Sequence, residues 1–343
     1  MGKNFPRITN LKETPECFEA TIALIEKSFK YEAPFTFKED FAPLIDVSNH
    51  HNCFILIDED KNVLAHIGAR EKSIKIEQQE FMICILGGIA VDENHRGEGH
   101  FSTLMQDVLA EKRSDTTFFL LWSDQEQLYG KFGFYLCGDQ YELPLDENKK
   151  NEFLSSKYKD LSTEEKKQVQ TLYNTSFAKE YLTLERNEND WKLIEKIVSA
   201  NIFLKKNSNT ITDYFFKDKG ADLTGIIYEY ASSSNLKTCA EAATAYGRVW
   251  MGKPIIETEN HQYQFFMAPG DLSLFSILIK DLTQSKIILQ NINIMKQEAY
   301  FDFNGETLGL PVDEFLRGIF GPGSFEELDD VLKPLFLSGL DSV

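Results

Sequence analysis

The chain has 343 residues, 42% of them hydrophobic and 26% charged, which describes an ordinary folded protein with room for two domains rather than a disordered one. Thirty-six Lys and Arg stand against 54 Asp and Glu, a net charge of −18. That balance excludes wrapping a nucleic-acid backbone or docking on an anionic membrane, both of which need clustered positive charge, and it suits a cationic small molecule such as an amine.

The start, from Met1 through Gly2 to Pro6, has no apolar leader, and Pro6 stands where a myristoylation signal needs Ser or Thr. The longest apolar run, residues 81–91, is about half the ~20 residues of a membrane span. Five scattered cysteines, never in CxxC spacing, read as core thiols and not as a zinc site or a disulfide frame, so the expected location is the cytoplasm.

In chain order, residues 7–13 predict a short strand and 16–29 an amphipathic helix with Thr14 and Pro15 at its start. Residues 38–45 suggest a second helix despite Pro43. Strands follow at 53–58, 63–76 and 81–91, then a helix at 101–113 with Leu104, Met105, Val108 and Leu109 on one face. Residues 117–122 form a buried strand, 125–132 a short helix and 135–145 a last strand. The polar stretch 146–160 reads as a boundary, giving domains 1–147 and 148–343. Beyond it the pattern restarts: helices at 163–177 and 189–200, strands at 201–206, 212–217 and 223–231, offset by roughly 148 residues, and then a C-terminal helical segment. The fold class is α/β with a mixed sheet.

Chemistry concentrates in Gly87-Gly88-Ile89-Ala90-Val91-Asp92-Glu93-Asn94-His95-Arg96-Gly97-Glu98-Gly99-His100, where an apolar strand ends, a glycine turn follows and a helix begins at Phe101. Gly97 and Gly99 let the backbone turn tightly and approach a ligand, the free N–H groups of the helix start favour an anion, and Arg96 adds a charge-assisted hydrogen bond. No Gly-Lys-Ser/Thr closes the loop as in a P-loop, and the third glycine of a dinucleotide fingerprint is missing. One helix and one strand later comes Tyr129-Gly130-Lys131-Phe132-Gly133-Phe134. Taken alone, Tyr129 is a packing aromatic.

Together the two segments resemble the GNAT superfamily of acyl-CoA N-acyltransferases: Asn94-His95-Arg96-Gly97-Glu98-Gly99 fills the Arg/Gln-x-x-Gly-x-Gly/Ala loop, with Asn94 departing at the first position, and Tyr129 to Phe134 fills the Tyr-x-x-x-Gly-Phe motif. The resemblance implies that Ile89, Ala90 and Val91 pair with the pantetheine arm of acetyl-CoA. It also implies that Arg96, Gly97, Glu98, Gly99, His100 and Phe101 hold the pyrophosphate, and that an amine, on a small molecule or a peptide, attacks directly. Tyr129 then protonates the leaving thiolate, and no metal is required. The two-part layout is similar to the enhanced-intracellular-survival acetyltransferases, whose second GNAT-like domain is degenerate and whose C-terminal carboxylate serves as base. That likeness makes Val343 a catalytic candidate, with Gly339 permitting a bend and Leu335, Phe336, Leu337 and Leu340 anchoring the end. Other candidate bases are Glu80 and Asp124. The second half has Ser232-Ser233-Ser234-Asn235 where a glycine loop would stand, and its Trp191 and Trp250 are candidates to line the acceptor cleft. The competing readings are a non-catalytic acyl-CoA sensor and a transferase using aminoacyl-tRNA, the latter opposed by the charge and the intact loop.

Overall fold

A computed structural model describes residues 6–253, 258, 260–293, 296–323, 325–328 and 330–343. Residues 1–5, including the Gly2 considered for lipidation, lie outside that set. Six strands belong to the first half: β1 (Arg7–Asn10), β2 (Cys53–Ile57), β3 (Val63–Ile76), β4 (Gln79–Val91), β5 (Phe118–Leu121) and β6 (Tyr135–Leu143). Six more follow: β7 (Leu154–Ser156), β8 (Asn201–Asn207), β9 (Thr210–Lys217), β10 (Ile226–Ser232), β11 (Arg248–Met251) and β12 (His261–Pro269). All twelve join one sheet in the order β1-β2-β3-β4-β5-β12-β6-β11-β10-β9-β8-β7.

That order is palindromic. Reading inward from either edge, each first-half strand has a second-half counterpart, down to the parallel pairs β4–β5 and β10–β11. At the centre the last strand of each half crosses over: β12 lies between β5 and β6, and β6 lies beside β11. The sheet therefore runs unbroken from one half to the other. The repeat offset is 148 residues from Cys53 to Asn201 and 147 from Gln79 to Ile226, then drops to 136 from His100 to Leu236. It shortens because the second half lacks the glycine loop. After β10 the Ser232 hydroxyl accepts from the N–H groups of Ser234 and Asn235, and the Leu236–Ala243 helix begins at once, capped by Asn235.

Local chemistry explains most elements. Thr163–Leu172 opens with a reciprocal capping box between Ser162 and Glu165. The expected helix over 38–45 is instead two short helices, Phe37–Asp40 and Ala42–Ile45, because Pro43 can sit only in a first helical turn. The helix expected at 189–200 is Glu188–Ile194, and the strand expected at 223–231 begins at Ile226. Phe18–Ser28 buries Ile22, Leu24 and Ile25 on one face of the first-half sheet, and His100–Lys112 buries Leu104, Met105, Val108 and Leu109 on the other.

The C-terminal part is not simply helical. Between the helices Leu272–Leu282 and Val312–Phe320 lies a separate antiparallel sheet of β13 (Ile287–Asn293), β14 (Glu298–Phe303) and β15 (Glu306–Pro311). Its core is continuous with Ile74, Phe81, Ile83 and Ile85 of the first half. From there the chain returns between the halves. Leu335 pairs with Leu182, and the Gln264 side chain brackets Leu337 by accepting from its N–H and donating to its carbonyl. No helix among the described residues is long and apolar enough to cross a membrane. The five cysteines are buried and free.

Candidate active site

β4 and β5 run parallel only over Ile83–Ile85 and Phe118–Leu120 and then part. Beyond Ile85 the β5-facing edge of β4 is left open, and a cleft of about 810 Å³ lies there, within the range of small-molecule sites. Just past the split, the β3–β4 register slips around Gly88, whose φ is +58°. The bulge is held from behind by His66, which is fully buried and donates from Nδ1 to the Gly88 carbonyl at 2.7 Å. Burial pushes the His66 imidazole down to about 4, so the ring is neutral at pH 7, and its Nε2 has no partner among the described residues.

At one end of the cleft Gly97 and Gly99 adopt φ of +84° and +85°, left-handed conformations that a side chain would strain. A Cβ at either would meet nothing within 4 Å, so the two glycines serve backbone shape rather than close packing. Gly99 is the N-cap of the His100–Lys112 helix and offers no capping side chain, which leaves the first N–H groups free for an anion. Ile89, Ala90, Val91, Arg96, Gly97, Gly99, His100 and Phe101 all line the cleft. Glu98 does not: it is exposed, with its carboxylate 3.2 Å from His100 Nε2.

Tyr129 lies in the same cleft, wedged edge-on against Phe101 and Phe134 with ring centroids 5.8 and 6.2 Å away. Burial pushes its phenol up to about 12, and the Ser123 hydroxyl alongside offsets only part of that. Asp124 lines the cleft but is exposed. Glu80 is at the opposite end of β4, paired with Lys75 and exposed, seven residues before Gly87; it is not at the site.

Val343 completes the arrangement. A Cβ added to Gly87 would collide with the main-chain carbonyl carbon and oxygen of Val343, so the last residue lies directly on the bare backbone of β4. Gly339 lies in the turn closed by the Asp341 N–H on the Ser338 carbonyl, the expected bend, and it is also packed too closely for a side chain: its Cβ would lie 2.6 Å from the Tyr228 ring. Leu335, Phe336, Leu337 and Leu340 are each at most 3% exposed. Lys219, buried, donates to the carbonyls of Gly339 (2.8 Å) and Ser342 (2.7 Å) and to the Ser342 hydroxyl (3.1 Å). Burial pushes its ammonium down to about 7, against the pull of Asp341.

On the far side of Val343 a second pocket opens, about 190 Å³, sharing Phe29, Gly88, Trp122 and Val343 with the first. Trp250 lines it, as the sequence suggests, but Trp191 is packed in the second-half core against Tyr158 and Tyr173. Sequence reasoning gave no role to His66, Trp122 or Phe29. The one available signal was the Gly87-Gly88 pair inside an otherwise bulky strand, a pattern that marks a bulge or a close approach.

Residues 11–137 match the sequence profile of the acetyltransferase (GNAT) domain family. No curated protein matches the chain. Among solved structures it is similar to a GCN5-related N-acetyltransferase from Anabaena variabilis ATCC 29413, with TM-score 0.58, 13% identity, and coverage of 89% of this chain and 85% of that one. It is similar to Eis1 from Mycobacterium abscessus, with TM-score 0.57, 10% identity, and coverage of 94% and 92%. A Saccharomyces cerevisiae N-myristoyltransferase with bound myristoyl-CoA gives TM-score 0.51 at 12% identity, covering 78% and 80%. At these identities the likeness is one of fold.

Proposed function

We propose that this chain, whose residues 11–137 form a GNAT acetyltransferase domain within a two-domain GNAT fold, transfers an acetyl group from acetyl-CoA to a primary amine. The observation that carries the reading is convergence: the open edge of β4, the free helix N-terminus after Gly99, Tyr129 and Val343 all face one cleft. The donor's pantetheine arm would lie along Ile89–Val91 as an added strand, with its pyrophosphate on the N–H groups after Gly99 and beside Arg96. The first half would hold the donor and the second half would shape the acceptor side. The five buried free thiols support a reducing, cytoplasmic setting.

An amine reaches neutral solution mostly as an ammonium and must lose a proton before it attacks. The carboxylate of Val343, at the junction of the two pockets, is the base we assign. Tyr129 is the acid, donating its hydroxyl hydrogen towards the leaving sulfur. Burial keeps the phenol protonated at neutral pH, as a donor must be, but also makes it a weak acid. Tyr129→Phe is therefore expected to lower turnover by about 10²-fold, the low end for general-acid catalysis, with acetyl-CoA affinity nearly unchanged. Equal rates for the two proteins would return Tyr129 to a packing role.

The donor site is checked separately. At a hundredfold excess over its Kd, acetyl-CoA is expected to stabilise the parent by about 2.7 kcal/mol. Gly97→Val forces a β-branched residue to positive φ in an open loop, so the fold is expected to survive while the melting shift disappears. A full shift in the variant would make the loop a mere turn. Release of free CoA on adding amines separates an enzyme from a protein that only binds the donor.

A further inference from the structure

The pocket beyond Val343 carries more information than its location. Tyr31, Phe37, Phe41, Trp122, Trp250 and Leu223 supply its walls. Most of its polar side chains are already engaged by the protein's own backbone. Gln264 is bonded to both main-chain groups of Leu337. The Ser338 hydroxyl accepts from the Leu340 N–H, and Ser342 donates to Gly339. Lys219 directs three hydrogen bonds at Gly339 and Ser342. What remains for a ligand is the Gln140 amide, the Tyr31 hydroxyl, exposed Asp222 and the carboxyl group of Val343.

Such a pocket discriminates by subtraction. A polyamine or an amino sugar entering it would shed water from several charged or hydroxyl groups and find few partners in exchange. An apolar ring loses nothing and gains the aromatic walls, while one ammonium is left to meet the Val343 carboxylate, beside which Trp122 and Phe29 line both pockets. Size agrees: about 190 Å³ compares with the about 150 Å³ of an apolar cavity that accepts benzene. We infer that the acceptor is a primary monoamine carried by a short link on a single flat apolar ring. This rests on the acyl-transfer reading above, of which it names the substrate class.

The test uses the full chain with 2-phenylethylamine, spermidine and 2-aminoethanol. Binding is read first without donor, by quenching of tryptophan fluorescence, since Trp122 and Trp250 both line the pocket. 2-Phenylethylamine is expected to bind at least tenfold tighter than either competitor, and Trp250→Leu to weaken it at least tenfold while the acetyl-CoA melting shift persists. CoA release is then measured with each amine, and kcat/KM is expected to favour 2-phenylethylamine by at least tenfold. Spermidine or 2-aminoethanol binding as tightly, or reacting as well, overturns the inference and leaves acyl transfer standing. Tight 2-phenylethylamine binding with no CoA release from any amine upholds the pocket assignment and overturns acyl transfer.

Discussion

Appending three glycines after Val343 is expected to lower turnover about 10³-fold, within the span of a positioned general base, while acetyl-CoA affinity stays within a factor of two. The extension leaves the anchors of the terminal segment in place: the Leu182–Leu335 pairing, the Gln264 bracket on Leu337, Asp341 on Arg186, and Lys219 on Gly339 and Ser342. It changes one thing, moving the negative charge from Val343 to a residue that cannot lie on Gly87. Deleting Ser342 and Val343 should cost as much activity and somewhat more stability, because Lys219 then loses two acceptors while remaining buried. The measurements are steady-state rates, a melting curve for each protein, and the intact mass of the parent, since any residue beyond Val343 would already displace the charge. Unchanged turnover in a stable extended protein would sink the assignment and leave Asp124 or a bound water as base.

What the sequence disclosed follows from how locally each feature is encoded. β3 is read to the residue, since fourteen residues of strand-forming composition need no distant partner to be recognised. The turn at Gly97 and Gly99 is equally local: only glycine adopts those angles without strain, and a helix follows immediately. The exchange of β6 and β12 is invisible by the same logic. Both read as strands of a half-buried sheet, and nothing in either states which half it completes; that is decided by pairing between residues about 120 positions apart, such as His261 with Tyr141. Glu80 stands outside the site because a strand rises about 3.4 Å per residue, so seven residues of β4 separate it from Gly87 by more than about 20 Å. The path of residues 335–343 was legible as apolar and hence buried, but its landing place on Gly87 depends on Leu182, Gln264 and Lys219, none of which lies near it in sequence.

The deepest charge cluster yields the largest expected change in stability. Arg186 is bidentate to Glu229, at 3.1 and 2.6 Å, and its Nη2 also donates to Asp341 at 2.7 Å; all three side chains are fully buried. The guanidinium lies against the rings of Tyr173 and Trp191, which meet at nearly right angles, 4.1 and 4.8 Å from their centroids, and Tyr214 donates to Glu229 at 2.9 Å. Arg70 of β3 approaches Asp341 from the first half at 3.8 Å. The cluster thus ties β3, β10 and the terminal segment together two residues before Val343. Burial alone would push the Asp341 carboxyl up, but Arg186, with Arg70 and Lys72, more than offsets it and holds the group below its ordinary value. A carboxyl with a lowered folded pKa contributes stability above its unfolded value of about 3.9, and that contribution is lost as pH falls through the folded value, so the cluster is intact at neutral pH and fails only in stronger acid. Arg186→Met removes the cation and leaves two buried carboxylates: Asp341 keeps Arg70, Lys72 and Lys219 nearby, while Glu229 keeps the Tyr214 hydroxyl. The expected loss is about 3–5 kcal/mol at neutral pH, and a melting temperature lower by roughly 5–10 °C. Replacing Arg186 and Glu229 together with Met and Leu should recover most of that stability, because cation and carboxylate then leave together while Asp341 keeps Arg70, Lys72 and Lys219. If the single and double variants melt alike, the cluster contributes shape and not charge balance.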